Sequence, residues 1–477
     1  MSKLDKLMKN SAIFGISTFA TKIISFLLVP MYTRVLTATE FGNADLIISV
    51  VSFFVPVFSL CVFEGILRFS IGVNSNKKHS FTYGLIVIFL GFILLLLLYP
   101  LLYRIEIIRD FIVYFYLIYI SSLLHSYFFN FVKGLEKIRL IGITSVIGSL
   151  VLLVSNFILL VFFRMGVVGY LISTIAMYFV SSLIYFTIGR LWHYITFGKI
   201  STDLIRELNA YNIPLILTRI GWSVVVIFGR YSLNHFMGAS AVGLYSAAYK
   251  VPSLILAVYL VFQQALHLSV IDEYESKNGV GLFVKSYKIL SLLLLILVMT
   301  INVVIYPLAR LIFANAFYDA YKIVPLLVAG TFFSTLEGNL STIFSARKQT
   351  TVMLKNSMIS AFLSVLFYTA LIPFLGLFGA ALATATVCIS MWIRMIVLCR
   401  NSVDHFSLVW SDYFCYFIFV FQALLPIYLS IQYALILSLI CLSFVLILKK
   451  SETINTIKLL VLTITKMVTL RGKNSEA

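Results

Sequence analysis

Seven ionisable residues stand inside or at the edge of long apolar runs of this 477-residue chain, and any chemistry has to be sought there first. Four are cations, Lys22, Arg219, Arg230 and Lys250, and three are acids, Asp45, Glu64 and Glu337. A charged side chain at the middle of a bilayer costs about 2.5–3.5 kcal/mol on the insertion scale, so each needs a reason. Lys22 and Arg219 lie near the centres of their runs, too deep to snorkel comfortably, and point to a shared water-filled cavity with cationic walls. Arg230 sits nearer the end of its run, where snorkelling is the plain reading, and the same reading is open to Lys250. Glu64 has Arg68 one turn later, the spacing of an i, i+4 pair. Asp45 reads as a helix-start residue. Glu337 has no such neighbour and is the candidate for proton or sodium coupling, a role also open to Glu64 and Asp45. Pro56 and Pro252 fall in two corresponding runs, where kinks would free backbone groups toward a cavity and offer bending points, or where packing tolerates them.

Enzyme chemistry finds little support. The histidines, His79, His125, His193, His235, His267 and His405, stand singly, with no HExxH spacing and no paired carboxylates. There is no Walker loop, so direct ATP use is not expected, and no cofactor is implied. Cys61, Cys388, Cys399, Cys415 and Cys441 lack CxxC spacing, which argues against both a disulfide framework and a zinc site. No catalytic or metal-ligating set is expected.

The elements that must position these charges follow from composition. Hydrophobic residues make up 61% of the chain and charged residues 11%, a balance no soluble globular protein of this length shows. Apolar runs of about 20 residues recur along nearly the whole chain, each long enough to cross a hydrocarbon core of about 30 Å as a helix. They do not alternate as barrel strands do. The expected fold is an all-α polytopic membrane protein with about fourteen transmembrane helices, near 11–35, 43–69, 81–102, 111–132, 140–163, 166–189, 209–235, 242–268, 286–310, 322–345, 353–375, 377–398, 411–430 and 432–448.

Two stretches show that the first twelve form a repeat. In register, Ala38 falls over Ala239, Thr39 over Ser240 and Gly42 over Gly243. MGVVGYLISTIA at 165–176 matches LGLFGAALATAT at 375–386, with Gly166 and Gly169 over Gly376 and Gly379 and Thr174 over Thr384. Small residues at that spacing let helices approach closely in lipid. The expected domains are a six-helix bundle over 1–200, its copy over 201–405, two additional helices over 406–450 and a basic tail over 451–477. Six helices per unit is an even number, so the units insert parallel, about an axis along the membrane normal.

The formal net charge is +18, but the cations are scattered between runs and make no basic stripe interleaved with aromatics, which argues against nucleic acid. They follow the positive-inside rule instead: with the N-terminus inside, 26 of the 36 fall in cytoplasmic segments and 6 in outer ones. Both termini are then cytoplasmic. The basic leader MSKLDKLMKN runs straight into a full-length span and reads as uncleaved. The tail, broken by Lys458 and Lys466, reads as a helix lying on the inner leaflet.

SFLLVPMYTRVLTATEFGNADL, YNIPLILTRIGWSVVVIFGRYSLNHFMGASAVGLYSAAYKV, GVVGYLIST and GLFGAALAT together give the chain a resemblance. It resembles the polysaccharide repeat-unit flippases of Wzx type, within the multidrug/oligosaccharidyl-lipid/polysaccharide exporter superfamily. That resemblance implies a V-shaped, MATE-like pair of six-helix bundles in a bacterial cytoplasmic (inner) membrane. It implies a cationic central cavity where Lys22, Arg219 and Lys250, with Arg230, meet an undecaprenyl-diphosphate-linked oligosaccharide and move it to the outer leaflet for O-antigen, capsule or similar surface polysaccharide. It also implies membrane lipids, a polysaccharide polymerase and a chain-length regulator as partners. A drug/cation antiporter of the same superfamily would want acids in the cavity. A membrane polymerase or ligase of lipid-linked glycans would want a large outer loop with convergent polar residues.

Overall fold

The computed structural model describes residues 3–71, 76–260, 279–346, 349–402, 408–456 and 458. Among them every regular element is helical. The first span, α1 (Gly15–Val35), joins two helices at Leu28, with Pro30 in the first turn of the second, where its missing N–H costs nothing. Thr37 then caps α2 (Ala38–Phe58): its Oγ1 accepts from the Glu40 N–H at 3.2 Å, and the Glu40 carboxylate accepts from the Thr37 N–H at 2.8 Å. After Pro56 the chain breaks, with Leu60 and Cys61 at φ of 48° and 52°, and continues as the helix Val62–Ser70. Non-glycine residues rarely enter that region, so surrounding packing holds this break.

There follow α3 (Lys77–Leu97), α4 (Ile112–Gly134), α5 (Ile138–Phe162) and α6 (Gly166–Ile188). Then come α7 (Thr202–Met237), α8 (Ala239–Leu260), which is interrupted at 250–252, and α9 (Phe283–Ile312). A 3-10 helix, Asn315–Lys322, meets α10 (Val324–Ala346) at a bend of 53°. The next helical run, Thr350–Ser402, has 53 residues, or about 80 Å at 1.5 Å per residue, far more than one bilayer. It turns at Gly376, which divides it into α11 (350–375) and α12 (377–402). α13 (Trp410–Tyr428) and α14 (Ile431–Leu448) end the described spans. Twelve helices among the described residues are long and apolar enough to cross a membrane, or thirteen with the bent pair. Taking the Gly376 run as two gives the expected fourteen. The tail beyond 458 lies outside the described residues, and with it most of the expected surface helix; so do Lys277, Arg347, Lys348, His267 and His405.

The matched glycines are used in matched ways. Gly166 and Gly376 both adopt positive φ, 54° and 57°, at the entries to α6 and α12, a conformation a side chain would strain. At the starts of α2 and α8 the helices cross without side chains between them. A Cβ on Gly42 would land on the carbonyl oxygen of Ala239, and one on Gly243 on that of Ala38. Exchanging each residue for its repeat mate returns the same contact, as a two-fold relation requires.

Helices from the two copies meet at both ends of the molecule. At the end carrying Thr37, the Thr33 hydroxyl donates to the Ile312 carbonyl at 2.9 Å, Arg34 donates to Leu311 O at 3.1 Å, and the Phe41 and Phe317 rings lie 6.1 Å apart. At the end carrying Tyr83, the Tyr83 hydroxyl donates to Asn209 Oδ1 at 2.7 Å, Phe69 meets Tyr211 edge-on at 6.0 Å, and Asn212 packs onto Gly65.

Candidate functional site

A cavity of about 370 Å³ lies between α2, α4, α6 and α7. Its walls follow helical periodicity. α7 gives Arg219, Trp222, Ser223 and Val226, and α2 gives Ile48, Val51, Ser52 and Val55, both at i, i+3, i+4, i+7. α4 adds Ile118, Ser122 and Ser126 one turn apart, α6 adds Tyr178, and Pro56 and Phe63 line the side next to the break in α2. Arg219 is the one charged residue in this lining among the described residues.

Arg219 pairs with Glu64 across the two copies. This corrects the expected Glu64–Arg68 pair. α7 crosses the Val62–Ser70 helix at Gly65, where no Cβ holds it off, and the guanidinium reaches the carboxylate from there. Arg230 also behaves otherwise than expected. It does not snorkel but turns inward to pair with Asp45, its side chain 12% exposed. Asp45 accepts from the Ser246 hydroxyl as well, at 2.7 Å. The guanidinium carbon lies 5.9 and 5.8 Å from the Tyr245 and Tyr249 ring centres, within cation–π range. Asp45 is thus two turns inside α2, too far from its start to act as the expected helix-start residue.

Lys250 occupies the interruption in α8, within electrostatic reach of Asp45 and Arg230, and Lys22 on α1 is within reach of Lys250. Lys22 is not among the residues lining the 370 Å³ cavity; this structure brings Arg219 to that cavity and places Lys22 beside Lys250. Pro56 borders the cavity; Pro252 closes the α8 interruption, where the chain has already left the helix. Glu337, 5% exposed on α10, is held by neutral donors, the Ser341 hydroxyl and the Asn356 amide, each at 2.8 Å. It has no ion-pair partner among the described residues. The serines and aromatic rings of the cavity escaped sequence reading. Their signal was there, Trp222 and Ser223 one turn past Arg219, but such spacing recurs on every amphipathic face.

The sequence matches the family model for polysaccharide biosynthesis protein over residues 7–267. No curated protein matches it. Among solved structures, the lipid II flippase MurJ in an inward closed conformation matches with a TM-score of 0.69 at 12% identity, over 93% of this chain and 100% of that one. A MOP-superfamily transporter from Pyrococcus furiosus, described by the reverse polarity of its binding pocket, matches at 0.59 and 14% identity, over 86% and 100%. An outward-facing MATE-family multidrug resistance transporter matches at 0.57 and 14%, again over 86% and 100%. At such identities the likeness is one of fold. The family match spans more than half of the sequence, and the chain therefore belongs to the polysaccharide biosynthesis protein family, with the fold of MOP-superfamily transporters.

Proposed function

We propose that this protein is a flippase that moves undecaprenyl-diphosphate-linked oligosaccharide repeat units from the cytoplasmic to the outer leaflet of a bacterial inner membrane. The observation that carries the reading is the charge at the cavity: among the described residues its one charged lining residue is Arg219, half-exposed beside its partner Glu64, while Lys22 and Lys250 lie within electrostatic reach of each other. A lipid-linked diphosphate bears about two negative charges that bare lipid will not pass, and fixed cations in a membrane interior compensate them. A drug/cation antiporter would need the opposite sign. That a lipid II flippase shares the fold, and that another relative is described by the polarity of its pocket, support judging the substrate by charge.

In this reading residues 1–200 and 201–405 are the two bundles, 406–450 adds two helices, and the basic tail and both termini are cytoplasmic. The end carrying Thr37 then faces outward. Arg219, Lys22 and Lys250 meet the diphosphate, while Arg230 is held by Asp45. Glu337 remains the carboxylate suited to coupling, since Asp45 and Glu64 already serve as counter-anions. With the inside negative, moving two negative charges outward gains roughly 4.6 kcal/mol per 100 mV, so a coupled ion is not obligatory.

Lys22→Ala and Arg219→Ala are expected to abolish surface glycan export while the protein still accumulates in the membrane. Lys22→Arg keeps the charge and should retain part of the activity. Surface glycan and the cytoplasmic pool of lipid-linked units are measured together. Normal export by both alanine variants would overturn the electrostatic mechanism.

A further inference from the structure

The cavity that Arg219 lines also carries rings and hydroxyls brought together from three helices: Trp222 one turn from Arg219 on α7, Tyr178 on α6, and Ser122 and Ser126 on α4. Both rings are braced from behind. Trp222 packs against Val225, Val387 and Met391, and the Tyr178 ring centre lies 5.4 Å from that of His125. Rings fixed in advance lose little freedom when a ligand arrives. The Ser122 hydroxyl donates to the Tyr119 carbonyl of its own helix at 3.0 Å, so its lone pairs remain to accept from a ligand hydroxyl.

Braced aromatic faces with nearby hydroxyl acceptors suit a pyranose, whose C–H faces lie on an aromatic ring while its rim of O–H groups seeks acceptors. Trp222 stands three residues from Arg219, a rise of about 4.5 Å along α7. That offset matches a sugar bonded directly to a phosphate. The volume, near the lower end of the roughly 300–1,000 Å³ of ligand pockets, suits one sugar with its phosphates and is short for a whole repeat unit. We propose that Trp222, Tyr178, Ser122 and Ser126 form a subsite for the phosphate-linked sugar of a sugar-diphosphate lipid. The inference rests on the transport reading above, and deepens it by naming what the cavity reads besides charge.

The test uses the full-length protein in lipid nanodiscs and two probes: undecaprenyl diphosphate alone, and the lipid-linked saccharide extracted from cells lacking this protein. Wild type should bind the saccharide-bearing lipid more tightly. Trp222→Ala should weaken that lipid about three- to tenfold, the range of a single aromatic contact, and leave the bare diphosphate unchanged. Trp222→Phe should restore most of the difference, and the double variant Ser122→Ala with Ser126→Ala should also lower the saccharide lipid alone. Arg219→Ala should weaken both probes together. Equal loss of both probes in Trp222→Ala and in the serine double variant, or no loss in either, would overturn the subsite. Wild type binding both probes equally would also overturn the subsite and leave the transport reading standing. Wild type binding neither would overturn both.

Discussion

Two ion pairs tie α2 and its continuation to α7, and they differ in almost every physical respect. Asp45 and Arg230, toward the Thr37 end, are 15% and 12% exposed, with a serine hydroxyl and two tyrosine rings around them. Glu64 and Arg219, toward the other end, are 21% and 53% exposed, and Arg219 lines the cavity. The helix contacts beside them differ in the same sense. Near the first pair, Gly42 and Gly243 bring backbone onto backbone, which cannot yield. Near the second, Gly65 faces the Asn212 side chain, which can move. Asn212 is 1% exposed, and neither amide atom finds a hydrogen-bond partner among the described residues. The backbone contact makes the Thr37 end the stiffer of the two, and the side-chain contact leaves the Tyr83 end the one that can give. The pair with the more exposed guanidinium is also the one whose carboxylate an incoming phosphate can replace.

The comparison can be broken most sharply with one substitution made at both ends. Gly42→Ala sets a methyl on the Ala239 carbonyl and should abolish glycan export, whereas Gly65→Ala should leave a measurable fraction, because Asn212 can swing aside. Surface glycan per unit of membrane-inserted protein decides it, and equal export by the two variants would dissolve the distinction. Next in size is the removal of each acid. Asp45→Ala strands a buried guanidinium and should cost about 3–5 kcal/mol. Glu64→Ala should cost no more than about 1 kcal/mol, since solvent screens Arg219. Thermal unfolding in detergent reads both, and similar shifts would mean that burial does not separate the pairs. An effect of the opposite sign is expected from Asn212→Leu, which removes a buried amide with no hydrogen-bond partner among the described residues. It should raise stability by about 1–3 kcal/mol and slow export by holding the Tyr83 end shut. Lower stability would show that the amide is satisfied after all.

What the sequence disclosed follows the same division. Spans are legible because a bilayer demands about 20 apolar residues, and the repeat because Gly42, Gly166, Gly243 and Gly376 hold places where nothing else fits. The depth of Lys22 and Arg219 could be read, since it follows from their positions along an apolar run. Their partners could not. Arg230 and Asp45 are 185 residues apart, and only packing puts them together. Glu64 looked paired with Arg68 because local spacing is all a sequence offers. The serines of the cavity were hidden by number: most serines in these helices simply bond back to their own carbonyls, as Ser52 does to Ser49 O at 2.6 Å.

The glycine crossing of α2 and α8 also has a mechanical consequence. Two helices that touch backbone to backbone at one point have no interleaved side chains there to resist rotation, so the point acts as a fulcrum. From Gly42 to Phe58 the axis of α2 extends about 24 Å, the length of the lever arm. A relative tilt of about 20° at the fulcrum would spread the far ends by roughly 8 Å, enough to admit a sugar, while the fulcrum itself moves hardly at all.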